Sequence, residues 1–211
     1  MTTDDFIRTL AADTLRPRAL WATLMLWMVP SLGIAVLAVW LMLGFRADLG
    51  TALLTPVSGA RIVLTGVLGI AGIRLALVLA RPDGGRSARL WPLAAVGVAA
   101  LGLVLWAYVT TPAEARLMTL FGKTAVSCVV TISLLSVLPV AALHHMLRQG
   151  ATTAPARAGF VAGLAGSSLS AAIFALHCTE DSPLFYVTWY GLAIIGVTLV
   201  STLIGTRRLH W

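Results

Sequence analysis

The sequence predicts an all-α membrane protein, a six-transmembrane-helix bundle with both termini cytoplasmic. Three observations predict it. First, 59% of the 211 residues are hydrophobic and only 11% are charged, whereas soluble domains run at about 45–50% apolar and about 25% charged. The mean hydropathy is accordingly high, at +0.93. Second, six apolar stretches each reach the roughly 20 residues that a helix needs to cross a bilayer. Third, arginine and lysine fall unevenly on alternating connections. The composition alone excludes a water-soluble enzyme, a disulfide-knit secreted module and a disordered regulator.

Residues 1–19 precede the first stretch. Thr2 or Thr3 is placed to cap a short helix, Asp4 and Asp5 suit its first turn, and Pro17 ends it. Phe6, Ile7, Leu10, Ala11 and Thr14 share one side of that helix. Two readings stand side by side: a helix that folds into a partner's groove, or one that lies flat on the membrane surface. The spans follow at Leu20–Gly44, Ser58–Ala80, Leu90–Val109, Phe121–Leu143, Gly159–His177 and Leu184–Gly205. None alternates as a barrel strand would, and helices satisfy the backbone where lipid cannot. The first span is about twice as long as a signal-peptide apolar region and follows acidic residues, so it is expected to be retained. Breakers mark the connections: Arg81-Pro82-Asp83-Gly84-Gly85, Thr111-Pro112, Thr152-Thr153-Ala154-Pro155 and Asp181-Ser182-Pro183. The plan is a cytoplasmic N-terminal segment (1–19), a transmembrane domain (20–205) and a short cytoplasmic tail (206–211).

Charge sets the expected orientation. Arg8, Arg16, Arg18, Arg81, Arg86, Arg89, Arg148, Arg157, Arg207 and Arg208 fall on the tails and on two of the loops. Arg46, Arg61, Arg116 and Lys123 fall on the other side. The positive-inside rule therefore places both termini in the cytoplasm and the 178–183 loop, with Glu180 and Asp181, outside. The net charge of +7 forms no stripe or block, so direct nucleic-acid binding is not expected.

Polar residues in the spans are few. Arg61, Arg74 and Lys123 read as snorkelling side chains, and no carboxylate lies within a span interior, which argues against a proton- or cation-coupled carrier. Gly66, Gly69 and Gly72, and Gly159-x-x-x-Gly163 followed by Gly166, read as seams of close helix packing. His144-His145 reads as a solvated helix end, since neighbouring positions diverge by about 100° around a helix.

The two cysteines carry more. Cys128 falls in the outer half of the fourth span and Cys178 at the outer end of the fifth. They allow one intrachain pair, although a bridge needs Cα atoms within about 7 Å and Cys128 is expected to lie deeper. They read either as small buried hydrophobes or as a redox- or metal-responsive pair. His177-Cys178-Thr179-Glu180-Asp181 places imidazole, thiol and two carboxylates together, a set that suits transient contact with a soft metal ion. The candidate site is Cys128, Cys178, His177, Glu180 and Asp181, with no resident cofactor and no catalytic group.

Taken together, the Thr3–Asp13 segment, the cysteine in the fourth span and the stretch His177-Cys178-Thr179-Glu180-Asp181-Ser182-Pro183-Leu184-Phe185-Tyr186 resemble the NrsF family of bacterial integral-membrane anti-sigma factors. The similarity runs through nearly the whole chain. It implies an inner-membrane negative regulator that holds an extracytoplasmic-function sigma factor at the cytoplasmic face. It implies release under heavy-metal, chromate or redox stress, with Cys128 and Cys178 as the sensing pair. The segment containing Asp4, Asp5, Phe6, Ile7, Leu10 and Asp13 would then belong to the sigma-binding surface. The family pattern assigns no role to His177, Glu180 or Asp181; metal contact there is a reading of the residues.

The expectation is thus a regulator and not an enzyme, with the sigma factor and the bilayer as partners and the oligomeric state undetermined. Two rivals remain. A membrane thiol oxidoreductase usually needs a second cysteine pair. A small metal or solute transporter needs midplane polar groups along a path.

Overall fold

The computed structural model describes residues 2–5, 7 and 19–209. From residue 19 to 209 the chain is helical, in ten elements: α1 (Leu20–Met42), α2 (Leu49–Leu54), α3 (Pro56–Leu79), α4 (Gly84–Ser87), α5 (Trp91–Thr110), α6 (Ala113–Phe121), α7 (Ala125–Leu135), α8 (Val137–Arg148), α9 (Pro155–Phe174) and α10 (Pro183–Arg208). Six helices or helical runs are long and apolar enough to cross a membrane: α1, α3, α5, the run from Ala113 to Arg148, α9 and α10. Proline lies at the first or second position of α3, α5, α9 and α10, where its missing N–H costs no hydrogen bond.

The fourth span departs from the single Phe121–Leu143 helix that the sequence predicts. It is broken twice. Gly122 takes φ +52, a conformation that a side chain resists, and ends α6. At Ser136 a turn separates α7 from α8. Pro139 supplies no N–H there, and Ser136 Oγ donates to the Ile132 carbonyl at 2.6 Å.

Helix α9 is the centre of the bundle: 67% of its span is buried, against 6% for α5 at the periphery. It packs chiefly on α10 and α3. The reason is small residues. A Cβ on Gly159 would lie 2.7 Å from the Ser201 carbonyl oxygen, and one on Gly163 would lie 2.7 Å from Thr198 Cα. Gly69 and Gly72 meet Leu169 and Ala165 in the same way. Gly66 faces open space, so it is not part of the seam that its spacing suggests. Gly163→Leu is therefore expected to cost at least the 1–3 kcal/mol of typical overpacking, read as loss of the monodisperse detergent-solubilised peak. Gly66→Leu is expected to leave that peak unchanged.

Two buried clusters divide the bundle lengthwise. One, around Leu24, Leu79, Leu143, Met146, Leu147 and Leu209, lies near the arginine-rich connections. The other gathers Cys128, Phe174, Cys178, Phe185, Tyr186 and Tyr190 at the opposite end. At the arginine-rich end the loops are joined. Ala151 N–H donates to the Ala80 carbonyl at 2.8 Å, Thr153 Oγ1 to Pro82 at 3.0 Å and Arg157 to Gly85 at 3.1 Å.

Of the N-terminal segment, Thr3, Asp4, Asp5 and Ile7 are helical and exposed. Thr2 and Asp5 cap the start reciprocally. Asp5 N–H donates to Thr2 Oγ1 at 3.3 Å, and Thr2 N–H and Oγ1 donate to the Asp5 carboxylate at 3.1 and 2.7 Å. Phe6, Leu10 and Asp13, with Ala11, Thr14 and Pro17, lie outside the described residues.

Candidate functional site

The 176–181 connection is held from three sides. Arg46, just beyond α1, donates its backbone N–H to the Leu176 carbonyl at 3.1 Å. His177 Nδ1 donates to the Gly44 carbonyl at 2.9 Å. The Cys178 carbonyl accepts from two guanidinium groups, Arg61 at 2.8 Å and Arg46 at 3.2 Å. Arg61 also donates to the Glu180 carbonyl at 2.9 Å, and Glu180 Oε1 accepts the Lys123 N–H at 3.0 Å. Asp181 closes the arrangement with Arg46 at 2.8 Å and Arg61 at 3.3 Å. Segments near α1, α3, α7 and α9 thus converge on six residues of one loop.

Arg61 does not snorkel as the sequence reading expects. It is 1% exposed, because the loop offers it two carbonyls and a carboxylate in place of water. Such compensation is what a buried charge requires. Arg46 is nearly as buried and also binds Asp48, at 2.7 Å. The Arg46 guanidinium holds Asp48 down to about 2, and Arg46 itself is raised by the hydrogen bonds it donates to Asp48 and then to Asp181. For Asp181, burial pushes upward, but the bonds from Arg46 and the charge of Arg61 hold it below the usual carboxylate value.

Beneath this clamp lie the cysteines. Cys128 on α7 is fully buried and Cys178 is 3% exposed. Both belong to one buried cluster, and both are free thiols. Cys128 Sγ also donates to Thr124 Oγ1 at 3.6 Å. The interaction with Cys128, a hydrogen bond from the Glu180 backbone and the positive charge of Arg61 hold the Cys178 thiol below its ordinary value, against the opposing effect of burial.

The wider metal-ligand set does not assemble. Among the described residues no three His, Cys, Asp or Glu side chains group as a metal site. His177 turns to Gly44, Glu180 to Lys123 and Asp181 to the arginines. The physical reason is charge: two buried guanidinium groups need the carboxylate that the ligand reading gave to a metal. His144 also departs from expectation. It is 9% exposed, and its Nε2 lies 2.9 Å from Ser201 Oγ. His145 does lie at the surface, edge-on to Trp27. Arg46 escaped the sequence reading as a site residue, because arginine count in a connection reports side and not partner.

Comparison with known proteins now bears on this arrangement. Residues 10–211 match the family model described as negative regulator of sigma F. The chain belongs to the NrsF family. It is 36% identical over 217 residues to the anti-sigma-F factor NrsF of Caulobacter vibrioides, covering 100% of both chains. It is 33% identical over 180 residues to a probable anti-sigma-F factor NrsF of Azospira oryzae, covering 84% of this chain and 83% of the relative. No solved structure matches. Membership of the NrsF family marks the chain as a regulator.

Proposed function

We propose that the protein is an inner-membrane anti-sigma factor that holds an extracytoplasmic-function sigma factor at the cytoplasmic face. It releases the factor when the outward Cys128–Cys178 pair reacts with a soft metal ion or an oxidant. The observation that carries this reading is that Cys128 on α7 and Cys178 in the connection after α9 share one buried cluster, beneath a clamp that ties further segments together. Among the described residues the end that bears the cysteines carries few basic residues, whereas Arg81, Arg86, Arg89, Arg148, Arg157, Arg207 and Arg208 fall toward the other, as the positive-inside rule asks of a cytoplasmic face.

The chemistry needs no third ligand. A soft cation displaces both thiol protons and is held by two thiolates. Alternatively, a two-electron oxidant takes two electrons and two protons from the pair and leaves one disulfide. Either event pulls Cys178 toward α7, and the Cys178 carbonyl is the shared acceptor of Arg46 and Arg61. The strain passes to α1 and α3 and along α9, whose far end joins the loops around Arg81–Arg89 and Arg148–Arg157. Repacking of these spans is a recognised mode of switching. The sigma factor sits on those loops together with the segment bearing Asp4, Asp5, Phe6, Ile7, Leu10 and Asp13.

Co-expression with the sigma factors of the same genome tests the partner. The full chain is expected to co-purify with one of them in detergent, and a chain lacking residues 2–15 is expected to lose it. Capture by neither chain, or equal capture by both, would contradict the reading.

A further inference from the structure

A groove of about 610 Å³ opens between α8 and α10, the two helices that end the fourth and sixth spans. Its two ends differ in chemistry. At the arginine-rich end His144, His145, Arg148 and Arg208 line it. Toward the bundle centre Val137, Val200 and Ile204 form its walls. No carboxylate lines it, and both arginines are exposed. A slot that is cationic at the membrane surface and apolar within the span has the polarity of an anionic amphiphile, headgroup at one end and acyl chain at the other.

The wall supports this beyond charge. Ser201 Oγ gives its single proton to the Gly159 carbonyl at 2.7 Å. His144 Nε2, 2.9 Å from the same oxygen, must therefore be the donor of that contact. His144 Nδ1 is then left buried without a hydrogen bond, beside the charged end of the groove. As Nε2 holds the ring proton, Nδ1 is an acceptor, which neither acyl methylenes nor a phosphate can satisfy; a headgroup hydroxyl or a water ordered by the headgroup can donate to it.

We propose that this groove is a binding site for an anionic phospholipid, its phosphate between Arg148 and Arg208 and one acyl chain along Val137, Val200 and Ile204. Basic pockets between spans are suited to anionic headgroups. The site is distinct from the thiol clamp and lies at the opposite end of the bundle. It makes His144–Ser201–Gly159, which links α8, α10 and α9, the protein's contact with lipid composition.

Native mass spectrometry of the full chain in detergent tests this, with phosphatidylglycerol and phosphatidylcholine of identical acyl chains added in competition. Phosphatidylglycerol is expected to be retained over phosphatidylcholine. In R148Q/R208Q its retention is expected to fall about thirtyfold, the worth of two arginines near a lipid surface. R81Q/R86Q removes the same charge from a loop outside the groove and is expected to leave retention intact. V200W fills the apolar part without touching charge and is expected to weaken retention as well. The tail-less headgroup glycerophosphoglycerol is expected not to compete. Equal retention of the two lipids, equal loss in R81Q/R86Q, full competition by glycerophosphoglycerol, or preferential retention of a quinone would each overturn the assignment.

Discussion

Arg61→Leu is expected to be the most destabilising single substitution at the thiol end of the bundle. It removes the donor of the Cys178 and Glu180 carbonyls and a partner of Asp181 in one step. Breaking a buried ion pair from one side costs about 3–5 kcal/mol, because the groups left behind stay desolvated. Thermal unfolding in detergent, followed by loss of the monodisperse peak, reads the effect. Arg61→Lys is expected to fall between wild type and Arg61→Leu, since one ammonium cannot serve two carbonyls and a carboxylate with the geometry of a guanidinium. Arg116→Leu is the comparison. Arg116 lies over the Tyr108 ring at 4.1 Å and donates to Thr111 at 3.1 Å, but is not buried, so its loss is expected to be small. Equal effects of Arg61→Leu and Arg116→Leu would remove the clamp from the account.

The same clamp predicts indifference to mild acid. Asp48 and Asp181 titrate lower in the folded chain than their ordinary value. Their contribution is therefore fully present above the ordinary carboxylate pKa and is lost only as pH falls through the lowered values. Between about pH 5 and pH 8 both stay ionised, and stability measured over that window is expected to be flat with respect to these two groups.

The second large effect concerns the thiols. Diamide treatment of the purified protein is expected to remove two hydrogens from its mass and to protect both cysteines from later alkylation. Cys128→Ser and Cys178→Ser are each expected to abolish that mass change. In the reduced protein Cys178 is expected to react first, because its thiol is held below its ordinary value. Its alkylation rate is expected to reach half-maximum below the roughly 8.5 of a free thiol. An intact pair of alkylatable thiols after oxidant would mean that the neighbouring sulfurs do not bridge.

Much of the fold was legible because hydrophobic length and breakers are local signals. The Thr111-Pro112 breaker stands between helices, the Thr152–Pro155 and Asp181–Pro183 breakers each end on the first residue of the next helix, and the Gly159–Gly163 seam packs as its spacing predicts. What was not legible is what depends on neighbours distant in the chain. Arg61 looks like a snorkelling side chain until Cys178 and Glu180, more than a hundred residues away, present their carbonyls. Asp181 looks like a metal ligand until two arginines claim it. His144 looks solvated until Ser201 on α10 meets it. The double break of the fourth span, at Gly122 and near Pro139, was not read, because the apolar stretch is continuous through both. For the cysteines, span boundaries left the pair open with Cys128 deeper, and the structure places both in one buried cluster.

The account stands on a chemical event at one end of the bundle changing a protein partner's hold at the other. The most direct test is to immobilise the detergent-solubilised complex with its sigma factor and to follow elution of that factor. Cadmium, or diamide in a parallel arm, is added to the wild type and to the Cys128→Ser/Cys178→Ser double variant. The account predicts elution from the wild type and retention by the double variant. Elution from both alike, or from neither, would contradict it.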